Sequence, residues 1–199
     1  MKTPSERQQM KLRYRIFFTL ILIAVIATCA VYNYTKTAIQ AEKSAYPLEY
    51  THIVEKYADQ YGIDCAIIYA TILIESGFNP NAASPKGAQG LMQITPDTFE
   101  WLCTKTGEDN TKLDILDPDV NIRYGTYFLA MLYEEFGDAK IAHAAYNAGR
   151  ARIRNWLKDE NYFKDGELYY IPFTETRNYV EKIKKATEKY RNILEVTKK

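Results

Sequence analysis

Glu75 is the residue of this chain with the clearest potential for chemistry. It ends a run of aliphatic residues and stands two positions before Gly77, a residue type that commonly ends helices. Burial there would disfavour the charged carboxylate, and the negative end of a helix dipole would act in the same direction, so we expect a raised pKa. A carboxylic acid that stays protonated near neutral pH is the acid that glycoside cleavage requires. Its position alone also fits a solvated Glu at a helix end.

Two later segments carry residue types suited to a sugar cleft. In residues 90–94, Gly90 permits a close backbone approach, Met92 offers an adaptable apolar surface, and Gln93 offers amide donors and an acceptor. Residues 145–149 read Ala-Tyr-Asn-Ala-Gly and combine small residues with an aromatic ring and an amide. Taken singly, each segment also fits an ordinary helix terminus.

Four motifs together resemble one known family, the soluble-lytic-transglycosylase (SLT) domain. They are Glu75-Ser76 and the segments 90–93 (GLMQ), 145–149 (AYNAG) and 175–180 (ETRNYV), in the family's order and approximate spacing. The similarity extends over about residues 47–190, and the family resembles goose-type lysozyme in fold. The resemblance implies an all-α, lysozyme-like domain with a cleft for glycan strands. It also implies a peptidoglycan lytic transglycosylase that cuts between N-acetylmuramic acid and N-acetylglucosamine.

The resemblance further implies roles for individual residues. Glu75 would be the single catalytic acid and later the base, while the substrate's N-acetyl group stabilises the anomeric carbon. The muramic acid 6-hydroxyl would then attack and leave a 1,6-anhydro end, with no metal and no cofactor. Glu175 and Arg177 are expected to hold the last helix in place, and His143 is expected to pack. Substrate-binding roles are implied for Ser76, Met92, Gln93, Tyr146, Asn147 and Tyr179.

The N-terminus predicts a membrane anchor. Residues 1–15 carry five basic side chains and one acidic side chain, and residues 16–32 carry no charge. The uncharged stretch lies at the short end of the roughly 17–25 residues that span a bilayer, and its basic flank favours a cytoplasmic N-terminus. We therefore expect an uncleaved single-pass signal anchor, with the remaining chain on the cell-wall side of the cell membrane. Cleavage near residues 28–30, lipidation at Cys29 and a buried core helix are the alternatives.

The rest of the chain predicts one globular domain. Residues 33–46 are polar and mixed, which suits a linker, and residues 47–199 are dominated by helical periodicity with almost no alternating pattern. We expect a mainly helical fold of six or seven short helices. The expected N-terminal caps are Asp64, Thr95, Asp117 and Asp138, and the expected terminating glycines are Gly62, Gly77, Gly107 and Gly137.

Composition limits the expected partners. The formal net charge is +1 over 199 residues, so we expect no nucleic-acid partner. The expected partners are peptidoglycan glycan strands and, through the N-terminal helix, the membrane; an envelope or secretion machine is a further candidate. The protein is expected to be a monomer. Cys65 and Cys103 could form a disulfide in an exported domain or remain free thiols.

Two other functions stay open at this point. A lysozyme-like hydrolase could use the same fold, with a second carboxylate such as Asp64 or Asp97 holding a water. A non-catalytic glycan-binding scaffold of an envelope-spanning machine would belong to a different class. An intact Glu75 beside all four motifs argues against the scaffold.

Overall fold

The computed structural model describes residues 4–197 and divides into two units, Met1–Pro47 and Leu48–Lys199. Lys2, which belongs to the predicted basic N-terminus, lies outside the described residues, as do residues 198–199 at the end of the predicted domain. The two units are described separately below.

The first unit is one long helix, α1, Pro4–Ala45. Its large apolar side chains between residues 16 and 26 are exposed, and the stretch Arg13–Ala45 is long and apolar enough to cross a membrane. The segment predicted as a linker is helical up to residue 45. It contains neither Gly nor Pro before Pro47 and is rich in Ala, Lys, Gln and Glu, which favour helix.

The second unit is mainly helical, as predicted. A short 3-10 turn lies at Asn110–Lys112, and a small antiparallel hairpin pairs β1, Phe163–Lys164, with β2, Glu167–Leu168. Its helices are α2 (Thr51–Tyr61), α3 (Cys65–Ser76), α4 (Pro96–Thr106), α5 (Pro118–Phe136), α6 (Ala139–Ala148), α7 (Arg150–Trp156) and α8 (Thr174–Thr197).

The helix boundaries follow the capping signals of the sequence. Each of the four predicted N-caps accepts a hydrogen bond from a backbone N–H of its own first turn, which satisfies a donor that the helix leaves unpaired. The predicted terminating glycines are all left-handed. Gly77, with φ of 57°, ends α3 at little conformational cost and thereby places Glu75 in the last turn.

Helix α3 is the central helix of the second unit and is buried along most of its length. It runs antiparallel to α8: Arg191 forms an ion pair of 2.7 Å with Asp64 near the start of α3, and the Tyr190 and Tyr69 rings stack at 5.3 Å. Helix α6 also packs on α8, where the Thr176 hydroxyl donates to the Asn147 side chain at 2.8 Å. Helices α3, α6 and α8 therefore form the frame on which the candidate site is built.

The structure adds two details that the sequence left open. Residues 158–171 showed no clear period, and the hairpin lies within them. Cys65 is half-buried, Cys103 is buried, and no disulfide joins them. The fold of the second unit therefore rests on packing and capping rather than on a bond between these two cysteines.

Candidate active site

Glu75 lies in the last turn of α3 and is partly buried. Burial raises the pKa of its carboxyl from the ordinary 4.5 to about 7; the Tyr179 hydroxyl opposes part of the rise, and the negative charge of Glu175 adds to it. A carboxyl group with this pKa is present in both protonation states near neutral pH. It can therefore donate a proton in one step and accept one in the next.

Tyr179 projects from the first turns of α8 toward this carboxyl. Its side chain is buried, and burial, followed by the negative charge of Glu75, raises the pKa of the phenol well above its usual range. The Tyr179 hydroxyl has no hydrogen-bond partner of good geometry within residues 4–197. It nevertheless lies close enough to the Glu75 carboxyl to affect the pKa of Glu75. The phenol thus remains protonated and is available to donate to the acid or to a bound ligand.

Tyr146 and Asn147, near the end of α6, are the residues that α6 contributes to the candidate site. Burial, then the charge of Glu75, raises the pKa of Tyr146 well above its usual range, which shows that its hydroxyl is near the acid. That hydroxyl donates to the Met92 carbonyl at 2.8 Å. The Asn147 side-chain oxygen accepts from Thr176, so the amide joins α6 to α8 beside the acid.

Met92 packs inside the protein. Its side chain is 0% exposed in this structure, and its contact with substrate stays a prediction. A Cβ atom on Gly125 of α5 would clash with the Met92 sulfur and would lie 2.7 Å from the Met92 Cβ, so only glycine fits opposite Met92. Met92 is a buried anchor for the segment that follows the loop.

Asn121 is a residue that the sequence reasoning missed. It is 0% exposed and accepts from the Met92 backbone N–H at 2.7 Å. Its amide nitrogen donates to the carbonyls of Gln89 at 3.0 Å and Ile115 at 2.7 Å. One feature of the sequence could have pointed to Asn121 as a buried residue. It stands four residues before Gly125, on the apolar face of α5.

Gln93 and Ser76 direct their donors into the protein rather than into a cleft. Gln93 has a left-handed backbone, φ of 50°, and its amide nitrogen donates to the carbonyls of Ala82 at 3.0 Å and Gly90 at 2.9 Å. A sugar contact by Gln93 would therefore use its side-chain oxygen. The Ser76 hydroxyl donates to the Ile72 carbonyl one turn back at 3.1 Å, so its role toward substrate remains a prediction.

Glu175 and Arg177 occupy the first turn of α8 but act differently. Arg177 donates to the Ile171 carbonyl at 2.8 Å, which holds the start of the helix as predicted. Glu175 is exposed, forms an ion pair of 3.4 Å with Lys86 of the loop, and acts through space on Glu75. Glu175 thus has an electrostatic role beyond the predicted structural one.

Replacing Glu175 by Gln is expected to lower the pKa of Glu75. The substitution removes a like charge that disfavours the ionised acid, and because that charge is exposed its effect on the pKa should be smaller than the effect of burial. A ¹³C-detected titration of the Glu75 carboxyl measures it. Glu181→Gln, also exposed on α8, is the matched control and should leave the titration unchanged; equal shifts in both variants would contradict the assignment.

Comparison with known proteins places these features in a family. The Transglycosylase SLT domain model matches residues 52–169. Soluble lytic murein transglycosylase of Escherichia coli K12 is 36% identical over 143 residues, which are 69% of this chain and 22% of the relative. Membrane-bound lytic murein transglycosylase C of Glaesserella parasuis serovar 5 is 30% identical over 168 residues, which are 72% of this chain and 46% of the relative.

A solved structure shows the same relationship. An inactive mutant of the lytic transglycosylase Slt from Pseudomonas aeruginosa superposes with a TM-score of 0.67 and 34% identity, over 75% of this chain and 25% of the other. The chain thus spans less than half the length of each of these relatives. The shared part is the helical unit that carries Glu75.

Proposed function

Because the chain belongs to the transglycosylase SLT domain family, we propose that it cleaves the glycan strands of peptidoglycan as a lytic transglycosylase. One observation carries the proposal: Glu75 is a partly buried carboxyl with a pKa of about 7, next to the buried phenol of Tyr179. The relatives with this domain are named lytic murein transglycosylases. The match between the acid's chemistry and those names supports the same reaction in this chain.

The proposed reaction uses the Glu75 carboxyl twice. The protonated carboxyl donates to the glycosidic oxygen while the bond from C1 of N-acetylmuramic acid breaks, and N-acetylglucosamine leaves with a free 4-hydroxyl. The substrate's N-acetyl oxygen forms a bond to C1 as the other bond breaks. The carboxylate then removes the proton of the 6-hydroxyl, whose oxygen displaces the N-acetyl oxygen and closes the 1,6-anhydro ring. No net proton or water is consumed, and Glu75 returns to its acid form.

The positions of the other carboxylates favour this reaction over hydrolysis. Asp64 lies at the other end of α3, eleven residues from Glu75 or about 16 Å along the axis, and pairs with Arg191. Asp97 is exposed in the first turn of α4. Glu175, whose charge acts on Glu75, pairs with Lys86. Glu175 thus acts on the Glu75 carboxyl, whereas Asp64 and Asp97, the two carboxylates expected for a hydrolase, are not among the groups that shift its pKa.

Muropeptide analysis tests the proposal directly. Purified full-length protein in detergent is incubated with peptidoglycan, and the soluble products are identified by mass spectrometry. We expect 1,6-anhydro ends, which are lighter by one water than reducing ends. Reducing ends would instead establish the hydrolase, and intact glycan strands bound by the protein would establish the scaffold.

The rate of cleavage is expected to fall as pH rises through about 7. The first step requires protonated Glu75, and the pKa of that group is raised from 4.5 to about 7, so the acid form persists over this interval and is then lost. The measurement is kcat/KM against pH with soluble glycan strands. A basic limb near the ordinary pKa of 4.5 would contradict the assignment of Glu75.

We also propose that α1 anchors the protein in the cell membrane, with the second unit on the cell-wall side. Three observations support this proposal: the apolar stretch of α1, the membrane-bound relative, and the basic residues at the N-terminal end of that stretch, Lys11, Arg13 and Arg15. In spheroplasts, external protease is expected to digest the second unit and to leave an N-terminal epitope tag protected. If the second unit and the tag were both protected, or both digested, the proposed orientation would be wrong.

A further inference from the structure

The second unit exposes most of its large apolar side chains in one short segment. Within residues 48–197, Tyr169, Tyr170 and Phe173 are 52%, 45% and 45% exposed, and the remaining exposed large apolar residue, Val196, lies near the end of α8. Single exposed apolar side chains are ordinary in globular domains, whereas a contiguous group commonly marks a binding surface. The segment lies between the hairpin and α8.

Contacts between aromatic rings hold this segment in a defined arrangement. Phe173 meets the buried Trp156 of α7 edge to face, with ring centroids 5.4 Å apart. Trp156 also contacts Tyr162 at 6.1 Å, and Tyr162 stacks on Tyr170 at 6.2 Å. Such ring pairs add to the stability that burial provides, so Tyr170 and Phe173 are exposed parts of an ordered group. We call these four residues the aromatic cluster.

Two arginines lie on the exposed rings of the aromatic cluster. The Arg152 guanidinium is 4.9 Å from the centre of the Phe173 ring, and the Arg177 guanidinium is 5.9 Å from the centre of the Tyr170 ring. Neither arginine forms an ion pair in the described part of the chain. Arg152 uses one N–H on the Ala148 carbonyl at 2.8 Å and keeps others for a ligand. The charge on these rings is therefore positive, which suits a ligand with carboxylates.

Acidic side chains near this segment in sequence leave that charge largely uncompensated. Glu167 of β2 pairs with a lysine of α6 at 3.6 Å, and Glu175 pairs with a lysine of the loop at 3.4 Å. Glu160 and Asp165 are exposed in the turns before and within the hairpin. Both arginines, in contrast, contact the exposed rings directly.

The aromatic cluster adjoins the candidate active site. Arg152 is bonded to the carbonyl of Ala148, the residue after Asn147, and Phe173 stands three residues before Thr176. The Thr176 hydroxyl and the Asn147 side chain join α8 to α6 beside the acid. A part of the substrate that leaves the acid along this junction would therefore reach the cluster.

The ring contacts favour a peptide over a sugar at this surface. A sugar stacks its C–H face on an open aromatic face, but guanidiniums already lie over the rings of Phe173 and Tyr170. Guanidinium donors beside aromatic edges instead suit carboxylates and small aliphatic groups. The stem peptides of peptidoglycan carry both, as free carboxylates and alanine methyl groups.

We propose that the aromatic cluster, together with Arg152 and Arg177, binds the stem peptide of the substrate. A stem carboxylate accepts hydrogen bonds from Arg152, and the small aliphatic side chains lie against Phe173 and Tyr170. The inference rests on the proposed function, because the stem peptide reaches this surface when its glycan strand occupies the site of the acid. The cluster then determines which strands the protein binds, separately from the acid that cuts them.

Binding of two matched substrates tests the proposal without cleavage. Full-length Glu75→Gln protein in detergent is titrated by calorimetry with soluble glycan strands that carry stem peptides, and with the same strands after an amidase has removed the peptides. The stripped strands keep a carboxylate on each lactyl group, so they control for general charge attraction. We expect a dissociation constant about tenfold lower for the strands with stems, the value of one charge-assisted hydrogen bond.

Two substitutions, each added to Glu75→Gln, locate the stem peptide. Arg152→Gln should remove most of the tenfold preference, and Tyr170→Ser should reduce it about threefold. Both variants should bind stripped strands as before, which also shows that they are folded. Lys185→Gln, at an exposed position further along α8, is the matched control and should keep the full preference. Equal affinity for the two kinds of strand, or a preference that survives both substitutions, would overturn the proposal.

A cleavage assay separates this proposal from the proposed function. In the otherwise wild-type protein, Arg152→Gln should raise KM about tenfold for strands with stems and have little effect on kcat. If anhydro ends form but the substitution leaves KM unchanged, the cluster does not bind stems and the proposed function stands. If no strand is cleaved although the preference for stems persists in calorimetry, the proposed function fails and the binding site stands.

Discussion

Replacing Glu75 by Gln is expected to reduce glycan cleavage by the purified protein by about a thousandfold or more. Glutamine keeps the size and hydrogen-bonding capacity of the side chain but cannot transfer a proton, and proton transfer by a positioned group contributes roughly 10²–10⁴ in rate. Here one carboxyl serves both proposed steps, so both are affected. The measurement is the rate of release of anhydro-muropeptides, with Glu181→Gln as the matched control that should retain full activity.

The same variant should remain folded, which separates the catalytic effect from misfolding. Because the pKa of Glu75 is about 7 in the folded protein against an ordinary 4.5, the folded state binds more protons than the unfolded state between these values. Its contribution to stability is therefore fully present below the unfolded pKa and is lost as pH rises through the folded one. Above that pH, Glu75→Gln should be more stable than the wild type by up to about 3 kcal/mol. If Glu75→Gln were instead less stable than the wild type above that pH, its lost activity would be explained by a folding defect.

Replacing Asn121 by Ala is expected to lower the free energy of unfolding of the second unit by about 4 kcal/mol. The substitution leaves the Met92 N–H and the carbonyls of Gln89 and Ile115 without their side-chain partner. The Met92 N–H and the Ile115 carbonyl are then orphaned at about 1–3 kcal/mol each, whereas the Gln89 carbonyl still accepts from the Ile94 N–H. Thermal unfolding followed by near-ultraviolet circular dichroism should show a midpoint lower by about 10 °C.

An exposed asparagine provides the matched control for that substitution. Asn178 lies on the solvent side of α8, and Asn178→Ala should change the free energy of unfolding by no more than about 0.5 kcal/mol. Equal effects of the two substitutions would show that the hydrogen bonds of Asn121 do not stabilise the segment around Met92. The assignment of Asn121 as the support of that segment would then be wrong.

The helices of the second unit were predictable because their signals are local. Asp64 and Gly77 bound α3 through contacts with residues at most four positions away, and the same holds for the caps of α4, α5 and α6. The sequence also predicted Glu75 at a helix end with a raised pKa. The size of that pKa rise could not be predicted, because it depends first on burial by the packed fold and then on Tyr179 and Glu175, which lie about a hundred residues further along the chain.

The residues that support the site were not predictable in the same way. Met92 and Gln93 stand in a motif that suggests sugar contacts, yet their surroundings are determined by α5, α6 and the loop. Asn121 reaches Met92 across 29 positions, and no short motif marks such a contact. The motifs therefore identified the segments that form the site. Which of their residues could contact substrate and which hold those segments in place became clear only from the packed structure.

The close approach of Gly125 to Met92 also constrains how this protein can evolve. A methyl group at position 125 would clash with the Met92 sulfur and would lie 2.7 Å from the Met92 Cβ, so a shorter side chain at position 92 would remove the first clash but keep the second. A smaller residue at position 92 alone would open a void beneath the Tyr146 contact. Each single change is disfavoured, and the pair of changes keeps the Cβ clash, so both positions should remain as they are.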